Sequence, residues 1–357
     1  METGGAAKMG GNVGIASSIV YTDTRFHQSG ATPMNETVEF NLATGVPRRI
    51  GHFVIQEELG SGAMGSVYRA KDESLGKSVA LKVIKPELAK EPSARERFLR
   101  EARSAAALRD HDHIVPVYSV NEIALEDGKF LLYLVMPLLK GETLQDRIAK
   151  ANGQPLPLNE QLLIARQIAE GLAAAFDEGL VHRDIKPGNI WLEARKDGST
   201  RVKILDFGLA RSASDSQLTS TGATLGTPAF MAPEQGSSSD VDHRADLWSL
   251  GVILFQMGTG RLPFDGTRPL EVMINAQMQP LPSVRKLNAS LADEHVRLIE
   301  QLLEKKPQDR IQSAADVLTK LSTIEGAPME PTLPSMSVVP SMPVVPVVAV
   351  KKKRSKR

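Results

Sequence analysis

The hydrophobic pattern changes period once along the chain, near residue 140, and this change restricts the fold more than any other feature. Before it, apolar runs come at strand length. A strand opens at Phe53, Val67–Ala70 and Ser78–Ile84 are rich in Val, Leu and Ile, and Phe130–Met136 is almost wholly apolar. Short runs of this kind predict strands. One helix interrupts them over residues 93–108, where Phe98, Ala102, Ala105 and Leu108 recur at helical spacing. From Gly141 the long segments Leu162–Phe176, Val252–Met257 and Glu294–Leu303 carry a helical period, with strand-like Ile190–Leu192 and Val202–Leu205 between them. The expectation is an α+β, bilobal fold: a small β-rich lobe with one helix over 51–139 and a larger helical lobe over 140–325.

Composition limits the chemistry. The 357 residues include no cysteine, which excludes disulfides, thiolate metal sites and cysteine nucleophiles. The net charge is +1, but Lys351–Arg357 alone carries six positive charges, so residues 1–350 are five units negative. A mildly acidic body argues against a nucleic-acid partner. Residues 1–50 are rich in Gly, Ala, Ser, Thr and Asn without a sustained period, and are expected to form a leader without regular structure. Residues 326–357 are low in complexity: Ser335-Met-Ser-Val-Val-Pro340 is nearly repeated by Ser341-Met-Pro-Val-Val-Pro346, and a basic tail follows. The five prolines in Pro331–Val350 argue against a spanning helix. With no export pattern at the Met1 end, a cytoplasmic location is expected.

Four segments between Phe53 and Leu205 or just beyond carry chemistry. Gly60-Ser-Gly-Ala-Met-Gly65 precedes a strand-like run. Such glycines allow backbone N–H groups to approach phosphate oxygens, although a plain glycine-rich hairpin reads the same. Val79-Ala80-Leu81-Lys82 ends a strand with an ammonium that a turn would return beneath that loop. A buried lysine there needs an anion, and Glu96 and Glu101 on the following helix are both candidates. His182-Arg183-Asp184-Ile185-Lys186-Pro187-Gly188-Asn189 and Asp206-Phe207-Gly208 offer hard oxygen ligands for Mg²⁺ and a carboxylate able to accept a hydroxyl proton.

In this order the motifs resemble the eukaryotic-type (Hanks-type) serine/threonine protein kinases, in their bacterial branch, from about Phe53 to Leu321. The resemblance implies an ATP- and Mg²⁺-dependent transfer of phosphate to Ser/Thr hydroxyls of protein substrates. It implies that Gly60, Gly62 and Gly65 cover the ATP phosphates, with Leu59, Val67, Ala80 and Trp191 around the adenine. The Pro137 carbonyl and the Leu139 N–H would meet its edge. Lys82 would contact the α- and β-phosphates and pair with Glu101, the Phe98-x-x-Glu101 pattern deciding against Glu96. Asp184 would be the base, Lys186 the contact to the γ-phosphate, and Asn189 and Asp206 the metal ligands. Glu234 of Ala232-Pro233-Glu234 would pair with Arg310, Asp246 would brace the catalytic loop, and Thr227 would contact Asp184. Lys186, two residues after Asp184, and Gly226-Thr227 are the Ser/Thr-type pattern.

Two positions depart from the pattern. Met136-Pro137-Leu138-Leu139 joins the lobes where relatives have an acidic and then an aromatic residue, and Trp191 stands where a smaller apolar side chain is usual. Arg183 before the catalytic Asp implies control by phosphate on the loop, with autophosphorylation at Thr219, Thr221 or both and self-association of the chain for that step. Lys351–Arg357 is a solvated tail, or a weak contact to an anionic membrane surface or an acidic protein. The alternatives are a pseudokinase scaffold, against which Lys82, Asp184, Asn189 and Asp206 all speak, and a small-molecule kinase.

Overall fold

The computed structural model describes residues 18–22, 37–41, 46–62, 64–86, 92–125, 130–207, 228–236 and 241–326. The front lobe is an antiparallel sheet of β1 (Ser18–Thr22), β2 (Thr37–Asn41), β3 (Pro47–Ile50), β4 (Phe53–Ser61), β5 (Gly65–Asp72), β6 (Lys77–Ile84), β7 (Ser119–Ala124) and β8 (Phe130–Pro137). Its strand order is β1-β2-β3-β4-β5-β6-β8-β7. Strand β8 is buried along nearly its whole length because its alternate residues serve opposite faces. Leu131, Tyr133 and Val135 pack with Ile50, Phe53, Ala70 and Leu81. Leu132 and Leu134 pack with Ile84 and with Phe98 and Ala102 of α1 (Pro92–Ala106). The 3- and 4-residue spacing that marks the helix in the sequence is thus the stripe that α1 lays on the sheet.

The expectation of an unstructured leader over 1–50 needs correction. Strands β1, β2 and β3 extend the sheet beyond β4, with Val38 opposite Ile50 and Ile50 opposite Phe53. Val38 and Ile50 are fully buried in the same core as Tyr133. The alternation Val38, Phe40 is only one strand long and lies in a polar, Gly- and Ser-rich context, so composition over a wider window conceals it. Strand β7 was likewise not expected; its six residues are mostly half-buried and pair with β8 throughout.

The rear lobe is helical: α2 (Leu144–Lys150), α3 (Leu158–Asp177), α4 (Arg244–Thr259), α5 (Pro269–Met278), α6 (Val284–Leu287), α7 (Asp293–Leu302) and α8 (Ala314–Gly326). Helix α4 is apolar all round and is buried on nearly every face, as a central helix must be. Helices α3, α7 and α8 share its core. A small sheet, β11 (Thr200–Ile204), β10 (Ile190–Ala194), β9 (Gly141–Thr143), lies where the lobes meet. No helix of the described residues is long and apolar enough to cross a membrane.

The tip of the β4–β5 hairpin is closed by Gly62 N–H donating to the Gly65 carbonyl at 2.8 Å. A Cβ on Gly65 would lie 2.0 Å from the Val83 carbonyl oxygen, so β6 runs against bare backbone there. A Cβ on Gly60 or Gly62 would meet nothing within 4 Å. Gly65→Ala is therefore expected to push β5 off β6 and lower stability by about 1–3 kcal/mol, read as a fall in Tm, whereas Gly60→Ala leaves Tm unchanged.

Candidate active site

Antiparallel pairing sets the front wall of the cleft. Val67 pairs with Lys82, Ala80 with Met136 and Val79 with Pro137. Ala80 and Lys82, two apart on β6, share one face of the strand. Ala80, Val115 and Met136 form a buried apolar slot, edged by Val67, Leu138, Leu139 and Leu205. Of the residues expected at the adenine, Val67, Ala80 and Leu139 converge here. Leu59 lies two residues before the end of β4 with 46% of its surface exposed, and Pro137 ends β8 as the chain enters the rear lobe. Trp191 on β10 is half-buried and donates its indole N–H to the Lys140 carbonyl at 3.2 Å, which fastens β10 to the segment joining the lobes.

The polar groups lie beyond this slot. Lys82 is 5% exposed and its Nζ stands 2.6 Å from Asp206 Oδ2, across the cleft. Of the two glutamates on α1, Glu101 is half-buried and Glu96 is exposed. Burial pushes the Asp206 carboxyl up, but the charge and hydrogen bond of Lys82, with His182 and Lys186 nearby, hold it below the usual carboxylate range. On the other side of the site Asp184 Oδ2 accepts from Lys186 Nζ at 2.7 Å and from Asn189 Nδ2 at 3.0 Å. Asn189 Nδ2 also donates to the Asp184 carbonyl at 2.7 Å. The Asn189 carbonyl accepts the N–H of Leu205 at 2.8 Å, so the chain brings Asn189 beside Asp206.

Two non-glycine residues in this site, Arg183 (φ 66°) and Asp206 (φ 61°), take left-handed backbone, which costs about 1–2 kcal/mol each. The surroundings enforce it. Asp246 at the start of α4 is buried, and its carboxylate accepts the N–H groups of His182 and Arg183, each at 2.7 Å. Burial raises the Asp246 pKa, against the pull of those donors. His182 Nδ1 accepts from the Asp184 N–H at 3.2 Å, and its Nε2 lies 2.7 Å from the Leu205 carbonyl. One imidazole thereby links the loop of Asp184 to the strand end that presents Asp206. Phe207 packs edge-on to His182, with ring centroids 4.7 Å apart.

Glu234 and Arg310 form a two-pronged pair at 2.9 and 3.1 Å, with the Arg310 side chain fully buried. Sequence reasoning missed Gln235, which takes the Ala232 N–H on Oε1 and donates to the Arg183 carbonyl at 3.0 Å. It also missed Val115, Met136 and Leu205 of the slot. Nothing local marks these four, since each acts on a strand or loop distant in sequence. Gly208, Thr219, Thr221, Gly226 and Thr227 lie outside the described residues.

Asp206 and Asn189, with Asp184 beside them, suit a Mg²⁺ ion, which takes one or two carboxylates and completes its shell with phosphate oxygens. Among the described residues no group of three or more His, Cys, Asp or Glu could hold a metal alone, so a ligand shell here needs the Asn189 amide and substrate oxygens.

The Asp206 carboxyl has a lower pKa folded than unfolded, so its contribution to stability is present above the usual carboxylate range and is lost as pH falls through the folded value. Asp206→Asn should flatten that acid limb: as pH falls below about 4, the usual carboxylate range, its Tm falls less than that of the parent chain.

A family model described as protein kinase domain matches residues 53–321. The serine/threonine-protein kinase PknB of Mycobacterium leprae is 36% identical over 290 residues, which is 80% of this chain and 45% of that protein. PrkC of Bacillus subtilis, a serine/threonine-protein kinase, is 35% identical over 273 residues, 76% of this chain and 40% of that one. The chain thus spans less than half the length of these curated relatives. The crystal structure of the Mycobacterium tuberculosis PknI kinase domain superimposes with a TM-score of 0.60 at 27% identity, over 76% of this chain and 96% of that one. The two lobes, the ordered motifs and these matches place the chain in the protein kinase family, among the bacterial Hanks-type serine/threonine kinases.

Proposed function

We infer that this chain transfers the γ-phosphate of ATP to serine or threonine hydroxyls of proteins. The observation that carries the reading is the meeting of Lys82 and Asp206 from opposite lobes beside the cluster of Asp184, Lys186 and Asn189. Val67, Ala80 and Leu139, with Leu59, Pro137 and Trp191 around them, hold the adenine. The glycine loop, free of side chains at Gly60 and Gly62, lies over the phosphates. Lys82 neutralises the α- and β-phosphates, held by Glu101. Asn189 and Asp206 would hold Mg²⁺, which when bound would supply the charge that offsets the phosphates. Asp184 orients the substrate hydroxyl and takes its proton as the oxygen bonds to the γ-phosphorus. The bond to the bridging oxygen breaks, ADP leaves, and Lys186 meets the charge on the transferring group. The match to a protein kinase domain favours this reading over a scaffold or a small-molecule kinase.

Two finer readings belong with it. Thr219, Thr221 or both are sites of autophosphorylation between two copies of the chain, and the basic tract Lys351–Arg357 touches an anionic membrane surface. Both segments lie outside the described residues.

The test is transfer of radiolabelled phosphate from ATP to a generic Ser/Thr protein substrate. Asp184→Asn is expected to lower turnover by about 10²–10⁴-fold with ATP affinity retained, and Lys82→Met to lower both. An Asp184→Asn enzyme as fast as its parent would end this reading.

A further inference from the structure

The C-terminal end of α5 has a defect written in the sequence. In a continuing α-helix the Ala276 carbonyl accepts the N–H of residue 280, and residue 280 is proline. The preceding bond, Gln279 N–H to the Asn275 carbonyl, is made at 2.9 Å. The Ala276 carbonyl is instead met by Lys305, whose Nζ lies 2.6 Å away. This donor comes from the loop after α7, 29 residues on. It is a cation, and the end of a helix is where a cation is favoured. The ammonium is enclosed on its other sides: it lies 3.7 Å from the Phe264 ring centroid and 5.4 Å from that of Trp248, and those two rings are stacked at 6.0 Å. Burial there lowers the Lys305 pKa to about 8, with Glu304 opposing the shift.

What Lys305 holds matters because of where α5 stands. Its inner side forms one wall of a groove whose other wall is the segment ending the activation loop. Met231 and Pro233 face Met273, Ile274 and Ala276 across it. The groove opens to solvent, with Leu270 67% and Ile274 49% exposed at its rim. Both walls are anchored to one short stretch. Arg310 grips Glu234 of the first wall and takes the Glu304 carbonyl at 3.1 Å, while Lys305 grips Ala276 of the second.

We propose that Lys305 is a positioning residue for protein-substrate docking: its ammonium supplies the donor that Pro280 withholds at the end of α5, and so fixes the distance between α5 and the Met231–Gly236 segment. This rests on the protein-kinase reading for its substrate and on the geometry alone for its strut. The residue touches neither nucleotide nor reacting atoms.

Lys305→Met keeps the aliphatic stem against the rings but removes the donor. The expected result is a rise of about tenfold in KM for a peptide substrate, as the loss of one charged hydrogen bond would give. The KM for ATP and kcat at saturating peptide should not change. Amide hydrogen exchange over residues 269–278 should quicken in the same variant. Pro280→Ala restores the N–H of residue 280 and frees Gln279, extended in the parent chain (ψ 144°), to turn helical and bring that N–H to the Ala276 carbonyl; it should reverse most of both effects in the double variant, and Lys305→Arg should keep the parent values. A peptide KM unchanged in a folded Lys305→Met enzyme, or no recovery on adding Pro280→Ala, overturns the proposal. If Lys305→Met does not fold, the double variant must fold; its failure to do so overturns the proposal as well. A parent chain that phosphorylates no protein would sink the kinase reading instead, and the exchange measurement would still decide the strut.

Discussion

A lysine buried at the centre of a sheet is the constraint from which the rest of this structure follows. Lys82 is placed on β6 by the same alternation that buries Ala80 and Leu81, and its ammonium has been taken almost wholly out of water. An unpaired charge there would cost several kcal/mol. The carboxylate that meets it is Asp206, from the other lobe, presented on left-handed backbone at the end of β11. One ion pair therefore holds the lobes in register across the cleft, and the apolar slot beside it takes its walls from both: Ala80, Met136 and Val67 from the front, Leu205 from the rear.

The strain at Arg183 and Asp206 is met by groups that bear no part in the chemistry. Asp246 takes two successive N–H groups of the catalytic loop, Gln235 takes up the Arg183 carbonyl, and His182 spans from the Asp184 N–H to the Leu205 carbonyl. Each contact is a hydrogen bond of modest net worth. Together they leave the loop one conformation, because every buried N–H and carbonyl in it must find a partner. The rigidity of Asp184 relative to Asp206 is thus set by a buried carboxylate on α4 and one imidazole.

Much of this could be read from the chain because the chemistry is local. Lys82, Asp184, Lys186, Asn189 and Asp206 stand in short motifs at the ends of apolar strands, and strands and helices of strong period, such as β8 and α3, were found within a few residues. What escaped is non-local or short. The strands β2 and β3 are buried through Val38 and Ile50, whose partners Phe53 and Tyr133 lie further along the chain. Gln235 has a role only because Arg183 passes beside it, and Val115 only because it packs on Ala80 of β6 and Met136 of β8. The want of an N–H at Pro280 was visible in the sequence; that the remedy comes from Lys305 was not, because nothing in a sequence states which loop returns to a helix end.

The two lysines of the cleft are already matched one to one with carboxylates, Lys82 with Asp206 and Lys186 with Asp184. On the proposed function both pairs exchange partners when nucleotide and metal enter: the lysines turn to phosphate oxygens, Asp206 to the cation and Asp184 to the substrate hydroxyl. No charge in the cleft need then be buried unpaired before or after binding, so the desolvation of each group is met in the folded chain rather than at the moment of reaction. The exchange also explains why the site needs a rigid frame. A carboxylate released from its lysine is useful only if it does not follow the lysine, and it is the clasp of Asn189 on the Asp184 carbonyl, with the His182 bridge, that keeps Asp184 where the hydroxyl would arrive.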